Sequence, residues 1–179
     1  QIHRQLASGL SCPVGFKNST LGDTQVAVDA VKSARHSHIF LSVTKSGHSA
    51  IFSTSGNEDC HIILRGGKTP NYDAESIAAA AKRLTKANLP PRLMIDMSHA
   101  NSAKDHERQN FICDDICGQL RGGSSAIMGV MIESHLVAGK QSLGDELVYG
   151  QSITDACIGW ADTERALAKL AEAVALRNA

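Results

Sequence analysis

The stretch that most constrains this chain is a short apolar run, Leu93-Met94-Ile95, that breaks off in Asp96-Met97-Ser98-His99 just before a helical pattern begins. A run of that length suits a buried strand, and its abrupt polar end suits a strand delivering side chains to a site. In α/β sheets the carboxyl ends of parallel strands face the crevice or mouth where ligands bind. His99 is therefore better placed for chemistry than most histidines, and the rest of the chain reads as repeats of the same arrangement.

Leu10 to Phe16 is apolar and ends in Gly15-Phe16-Lys17-Asn18, with Pro13 placing the start of any regular strand after it. Thr24 to Arg35 sets Ala27, Ala30, Val31 and Ala34 on one helical face, with Asp23 as the expected cap. Ile39 to Val43 and Ala50 to Phe52, joined by Lys45-Ser46-Gly47-His48, predict a β-hairpin inserted over residues 38–54. The strand from Cys60 to Leu64 ends in Arg65 before Gly66-Gly67. A helix from Ala74 to Ala87 then buries Ile77, Ala81 and Leu84 behind an Asp73 cap. After the opening stretch, a helix over residues 104–120 buries Ile112, Ile116 and Leu120 and stops at Arg121-Gly122-Gly123. Ala126 to Ile132 is a strand ending in Glu133, and residues 134–147 read as a loop. Tyr149 to Thr154 leads to Asp155, and a last helix over residues 162–177 buries Leu167, Leu170, Ala171 and Val174.

Five candidate strands alternating with helices imply a parallel sheet, and a charged or titratable residue at every strand end implies the (β/α) barrel plan. A complete barrel takes roughly 250 residues. The expectation is one α/β domain over residues 1–179, the carboxyl-terminal part of a (β/α)8 TIM barrel with an inserted β-hairpin. Eighteen basic residues balance eighteen acidic ones, so bulk charge argues for neither nucleic acid nor a membrane surface. No apolar run is long enough for a membrane span and the amino end lacks a signal-peptide layout. Five sparse cysteines, an odd number, favour free thiols in a reducing cytoplasm.

His99, Glu133 and Asp155 form a mixed nitrogen and oxygen set suited to manganese, iron, cobalt or zinc. Lys17 and Arg65 suit phosphate, and Gly66-Gly67 would let backbone amides approach an anion. Taken singly, each has a plain reading: a satisfied loop histidine, capping or surface carboxylates, surface cations. Their shared position at one face of the sheet is what favours a site.

Five motifs, Ser11-Cys12-Pro13-Val14-Gly15-Phe16-Lys17-Asn18, Ile63-Leu64-Arg65-Gly66-Gly67 with Pro70-Asn71-Tyr72, Ile95-Asp96-Met97-Ser98-His99-Ala100-Asn101-Ser102, Gly129-Val130-Met131-Ile132-Glu133-Ser134 and Tyr149 to Cys157, together resemble the class I 3-deoxy-D-arabino-heptulosonate 7-phosphate (DAHP) synthases. The resemblance runs along the whole chain and covers the carboxyl-terminal half or so of that family's. It implies a metal-dependent condensation of phosphoenolpyruvate with erythrose 4-phosphate, the entry to the shikimate pathway. It also implies His99, Glu133 and Asp155 as metal ligands, Lys17 and Arg65 as phosphate holders, and Lys17 and His99 as the catalytic pair. A Lewis acid facing a cationic phosphate clamp is what such a reaction needs.

The family's fourth ligand, a cysteine of the first barrel strand, and its aldose-phosphate loop lie in a front half that has no counterpart in these residues. The expectation is therefore no useful turnover by these residues alone, and a homo-oligomer. Cys12, Cys60 and Cys157 read as buried small hydrophobes, Cys113 and Cys117 as structural, and Cys60-His61 likewise. Asn18-Ser19 departs from the family's usual glycine after the asparagine. The hairpin matches the region where related enzymes bind an inhibitory aromatic amino acid, which implies Ser11, Phe40, Ser42 and Phe52 as an effector wall. Two other readings stand beside this one: a related phosphoenolpyruvate-condensing barrel with another sugar phosphate, and a non-catalytic half-barrel binding phosphate or a partner chain.

Overall fold

The computed structural model describes residues 1–178. A first helix, α1 (Ile2–Ser8), which the apolar pattern alone does not announce, packs on α2 (Gln25–Ala34). Between them lies β1 (Gly15–Lys17), short because Pro13 cannot donate to a ladder. The inserted hairpin is β2 (Ile39–Val43) and β3 (Ser49–Ser53), antiparallel with Phe40 opposite Phe52. Strands β4 (His61–Leu64), β5 (Leu93–Asp96) and β6 (Ile127–Met131) join β1 in one four-stranded sheet of order β1-β4-β5-β6, every pair parallel. Helices α3 (Ala74–Lys86) and α4 (Arg108–Arg121) make the crossovers, and α5 (Trp160–Arg177) closes the described chain.

The core lies between this sheet and its helices. Ile62, Leu64, Leu93 and Ile95 are fully buried, as continuous apolar runs on parallel strands should be when both faces are covered. Each contributes on the order of 1.5–3 kcal/mol by leaving water. From α4, Ile112, Ile116 and Leu120 reach the same core at helical spacing.

Several boundaries and faces differ from expectation. Thr24, not Asp23, is the first cap of α2, although the Asp23 carboxylate still accepts from the Gln25 amide at 2.8 Å. On α3, Asp73 caps as expected, but Ala80 is the fully buried alanine and Ala81 only packs beside the core. Helix α4 starts at Arg108 because residues before it turn tightly, with Ala103 and Lys104 at φ 54° and 62°. Helix α5 is rotated from its expected setting: Thr163, Ala166 and Ala173 are buried, while Leu167 is 52% exposed and Ala171 and Val174 also face outward. Small side chains on that stripe let α5 lie close against α4, a contact that hydrophobicity alone does not rank first.

The fifth strand is not part of the main sheet. Residues expected to form a loop contain β7 (Val137–Lys140), which pairs in parallel with β8 (Gln151–Ser152) in a separate two-stranded sheet. Val137-Ala138-Gly139-Lys140 carries no alternation that would mark it as a strand. This pair ties the segment bearing Asp155 to the end of β6, where Ser134 also bridges Ile158. No helix among the described residues is long and apolar enough to cross a membrane.

A candidate metal and phosphate site at the strand ends

The site is built outward from Asp96, the last residue of β5, whose side chain is wholly buried. Its Oδ1 accepts from the Ser98 amide at 3.0 Å and the Ser98 hydroxyl at 2.6 Å. Its Oδ2 accepts from Lys17 Nζ at 2.9 Å and lies 2.9 Å from His99 Nδ1, whose hydrogen-bond partner is the Ser98 hydroxyl at 2.7 Å. Burial alone would raise the Asp96 carboxyl, but hydrogen bonds from Ser98 and Lys17 and the nearby cationic charge outweigh it and hold the group below the usual carboxylate range.

His99 follows at φ 53°, a left-handed setting unusual for a residue with a Cβ, and its carbonyl accepts from the Lys104 amide at 2.8 Å. With Nδ1 engaged by the Ser98 hydroxyl, itself bonded to Asp96, and with Asp96 Oδ2 alongside, Nε2 is presented to Glu133, whose Oε1 is 3.6 Å away. A carboxylate on one ring nitrogen is the usual way to orient a histidine that binds metal through the other. Glu133 is fixed by its backbone: the buried Gln109 of α4 donates to the Glu133 carbonyl at 3.1 Å and accepts from its amide at 2.9 Å. Asp155 is carried beyond β8, where Cys157 and Gly139 exchange backbone hydrogen bonds of 2.8 and 3.1 Å.

One ligand atom from each of His99, Glu133 and Asp155 lies within 4.8 Å of the others. Burial pushes the Glu133 carboxyl up; His99 opposes this and Asp155 adds to it. Two acids and an imidazole crowded in this way gain from a shared cation, and the donor set fits a borderline divalent ion.

Arg65 is held by a frame of amides. Asn18 Oδ1 accepts from the Arg65 amide at 2.8 Å, and Asn18 Nδ2 donates to the Gly66 carbonyl at 2.9 Å. Asn71 Oδ1 accepts from the Gly66 amide at 2.7 Å, and Asn101 Oδ1 accepts from the Asn71 amide at 2.8 Å. Asn101 Nδ2 reaches the carbonyls of Asp96 at 2.7 Å and Leu64 at 3.2 Å, joining two strand ends. The guanidinium of Arg65 has no ion pair among the described residues.

The expected amide cradle at Gly66-Gly67 is a correction. Gly66 N–H is spent on Asn71, and Gly67 N–H donates to the Thr69 carbonyl at 2.9 Å. The glycines serve close packing instead. Gly66 sits at φ 75° and a Cβ there would meet the Asn101 nitrogen at 2.6 Å, while one on Gly67 would meet Gly22 at 2.4 Å.

Arg65, His99, Glu133 and Asp155 line one cleft of about 260 Å³ together with Lys104 and Lys140. Lys17 is not in its wall but is joined to it through Asp96. The two further lysines, Asp96, Gln109 and the asparagine frame were not singled out from the sequence. Lys140 falls in the misread loop, and an amide clamp has no periodicity to betray it.

All five cysteines are free thiols; Cys12 is exposed, against expectation, because it precedes β1 on an irregular segment, and the other four are buried. Burial and the Cys117 neighbour push the Cys113 thiol up to about 12, which makes it inert. Phe40, Ser42 and Phe52 line a second hollow of about 380 Å³ with Leu6 and Leu10 of the amino-terminal segment, the two rings stacked at 6.0 Å. Ser11 is not in its wall.

The sequence profile of the DAHP synthetase I family matches residues 1–168. The chain belongs to that family. It is 62% identical over 180 residues to the Phe-sensitive phospho-2-dehydro-3-deoxyheptonate aldolase of Escherichia coli K12, covering 99% of this chain and 51% of that one. It is 56% identical to the Trp-sensitive enzyme of the same strain, covering 99% and 51%. A solved structure of phospho-2-dehydro-3-deoxyheptonate aldolase from Francisella tularensis SCHU S4 superposes with a TM-score of 0.96 at 53% identity, covering 98% of this chain and 52% of that one. The chain thus spans about half the length of these DAHP synthase relatives.

Proposed function

We infer that this chain carries the cation-binding and phosphoenolpyruvate-phosphate portion of a DAHP synthase, the transferase that condenses phosphoenolpyruvate with erythrose 4-phosphate at the entry to the shikimate pathway. The observation that carries the reading is the convergence of His99, Glu133 and Asp155 to within 4.8 Å in a cleft that Arg65 also lines. His99, Glu133 and Asp155 would hold a manganese, iron, cobalt or zinc ion, which would supply Lewis acidity for the condensation. Arg65, free of an ion pair and braced by the asparagine frame, holds the phosphate dianion. Lys17 shares that task and is the group placed to carry a proton, since an ammonium tied to Asp96 can exchange partners without leaving the site.

The four-stranded parallel sheet is read as part of a (β/α)8 barrel, one domain across the chain, whose β1 and β6 edges take the remaining strands. The hairpin supports both a regulatory and an oligomeric role. Phe40, Ser42 and Phe52 form an apolar hollow sized for an aromatic amino acid, and Ser11 follows Leu10 of its wall. On its other face Ile39, Leu41 and Ile51 are each more than 70% exposed, the kind of patch that a second subunit covers.

The test is complementation. The chain alone with manganese should give no condensation of phosphoenolpyruvate with erythrose 4-phosphate. Adding the amino-terminal half of the Escherichia coli Phe-sensitive relative should restore it, and Asp155→Asn should abolish the restored activity. Turnover by the chain alone, or restored turnover that survives Asp155→Asn, refutes the assignment. Phosphate binding without any restored turnover would favour a non-catalytic half-barrel.

A further inference from the structure

The two working parts of the cleft, cation ligands and phosphate holders, meet at one carboxylate. Asp96 is wholly buried, so its charge is answered only by what touches it. Ser98 occupies Oδ1 with two hydrogen bonds of 3.0 and 2.6 Å, leaving Oδ2 to the Lys17 ammonium at 2.9 Å and, at the same distance, to His99 Nδ1, which Ser98 Oγ also holds at 2.7 Å. The carboxylate is held by its bonds to Ser98 and Lys17, and Asn101 fixes the backbone it projects from by holding the Asp96 carbonyl at 2.7 Å and tying it to the end of β4.

We propose that Asp96 is a positioning residue through which cation binding and phosphate binding strengthen each other, because its Oδ2 is shared between the Lys17 ammonium and the His99 imidazole. This rests on the metal-and-phosphate reading above. An anion that draws the ammonium toward itself leaves more of the Asp96 charge on the His99 Nδ1–H, and the ring becomes a better donor from Nε2. A cation on Nε2 makes the Nδ1–H a stronger claimant on Oδ2, and Lys17 is released toward the anion. Linkage requires the two effects to be equal in free energy.

The measurement is Mn2+ binding, followed by the free-ion paramagnetic resonance signal, with and without inorganic phosphate. In the wild-type protein, phosphate should tighten Mn2+ by about fivefold or more. Asp96→Asn should weaken Mn2+ alone by about 10–100-fold and cut the phosphate factor at least in half. Asp155→Asn should also weaken Mn2+ but leave the phosphate factor as it was, because Asp155 has no contact with Lys17. Mn2+ affinity unchanged in Asp96→Asn, or a phosphate factor unchanged there, overturns the proposal while leaving the cation site intact. Failure of the wild-type protein to bind Mn2+ at all would overturn the site reading itself. Should Asp96→Asn not fold, zinc-loaded wild-type protein serves: phosphate should shift the His99 Nδ1–H proton resonance, and a resonance that stays in place overturns the coupling.

Discussion

Three glycines allow one substitution, glycine to alanine, to be run with three different physical costs. Gly118 lies within α4 and a Cβ there meets nothing within 4 Å. Alanine should stabilise the protein by about 0.5–1 kcal/mol through helix propensity and a stiffer unfolded chain. Gly47, in the hairpin turn, is equally unobstructed but sits at φ 84°, so Gly47→Ala isolates the left-handed penalty, about 1–2 kcal/mol. Gly66 has both handicaps: φ 75° and backbone of Ala100 and Asn101 at 2.8 and 2.6 Å from the new Cβ. Adding about 1–3 kcal/mol for forcing that contact puts Gly66→Ala at about 2–5 kcal/mol. Urea unfolding with a common slope of about 2 kcal/mol/M should lower its midpoint by roughly 1–2.5 M, while Gly118→Ala raises the midpoint. Because the displaced atoms belong to the Asn101 frame, phosphate binding by Arg65 should weaken in Gly66→Ala and stay normal in Gly47→Ala. A Gly66→Ala protein no less stable than Gly47→Ala would refute the assignment of the loop's tightness to that contact.

Gln109→Leu should destabilise by about 1–3 kcal/mol, by stranding the Glu133 amide and carbonyl, and should weaken Mn2+ binding measured by dialysis. Asp73→Ala should cost about 1 kcal/mol at neutral pH by removing the α3 cap. Burial would raise the Asp73 carboxyl, but hydrogen bonds from Ser76 prevail and lower it. That contribution is therefore complete above the unfolded value of about 3.9 and fades as pH falls through the lower folded value, so wild type and Asp73→Ala should converge in acid unfolding curves. Excess Mn2+ at about 100 times its dissociation constant should add about 2.7 kcal/mol of stability; chelation should remove it, and His99→Ala should show no such response in thermal scans.

The strands were legible where burial leaves a plain mark. The apolar runs of β4 and β5 and the charged residues just past them were readable because nearly every residue of those parallel strands is buried, and β6 was readable from its apolar run although much of it is only half-buried. His99 and Glu133 were legible from their positions just past β5 and β6, and Asp155 from its place after a further short apolar segment. What escaped lacks a periodic signature. Strand β7 is two small residues between a valine and a lysine, and it forms because β8 offers it a partner. The setting of α5 escaped because its buried stripe is made of Thr163, Ala166 and Ala173, chosen for closeness to α4 rather than for oiliness. The glycine pair was misassigned for a related reason: nearness between backbones can serve a ligand or a neighbouring loop, and only coordinates tell which amides are already taken.

The side chains that brace Arg65 and Glu133 are carboxamides: Asn18, Asn71, Asn101 and Gln109. Such groups neither gain nor lose a proton across the working range of water. On the cation reading, acid would empty the cleft while these braces keep their bonds, and a return to neutrality would refill it. Architecture and occupancy answer to different chemistries, so the vessel outlasts its contents.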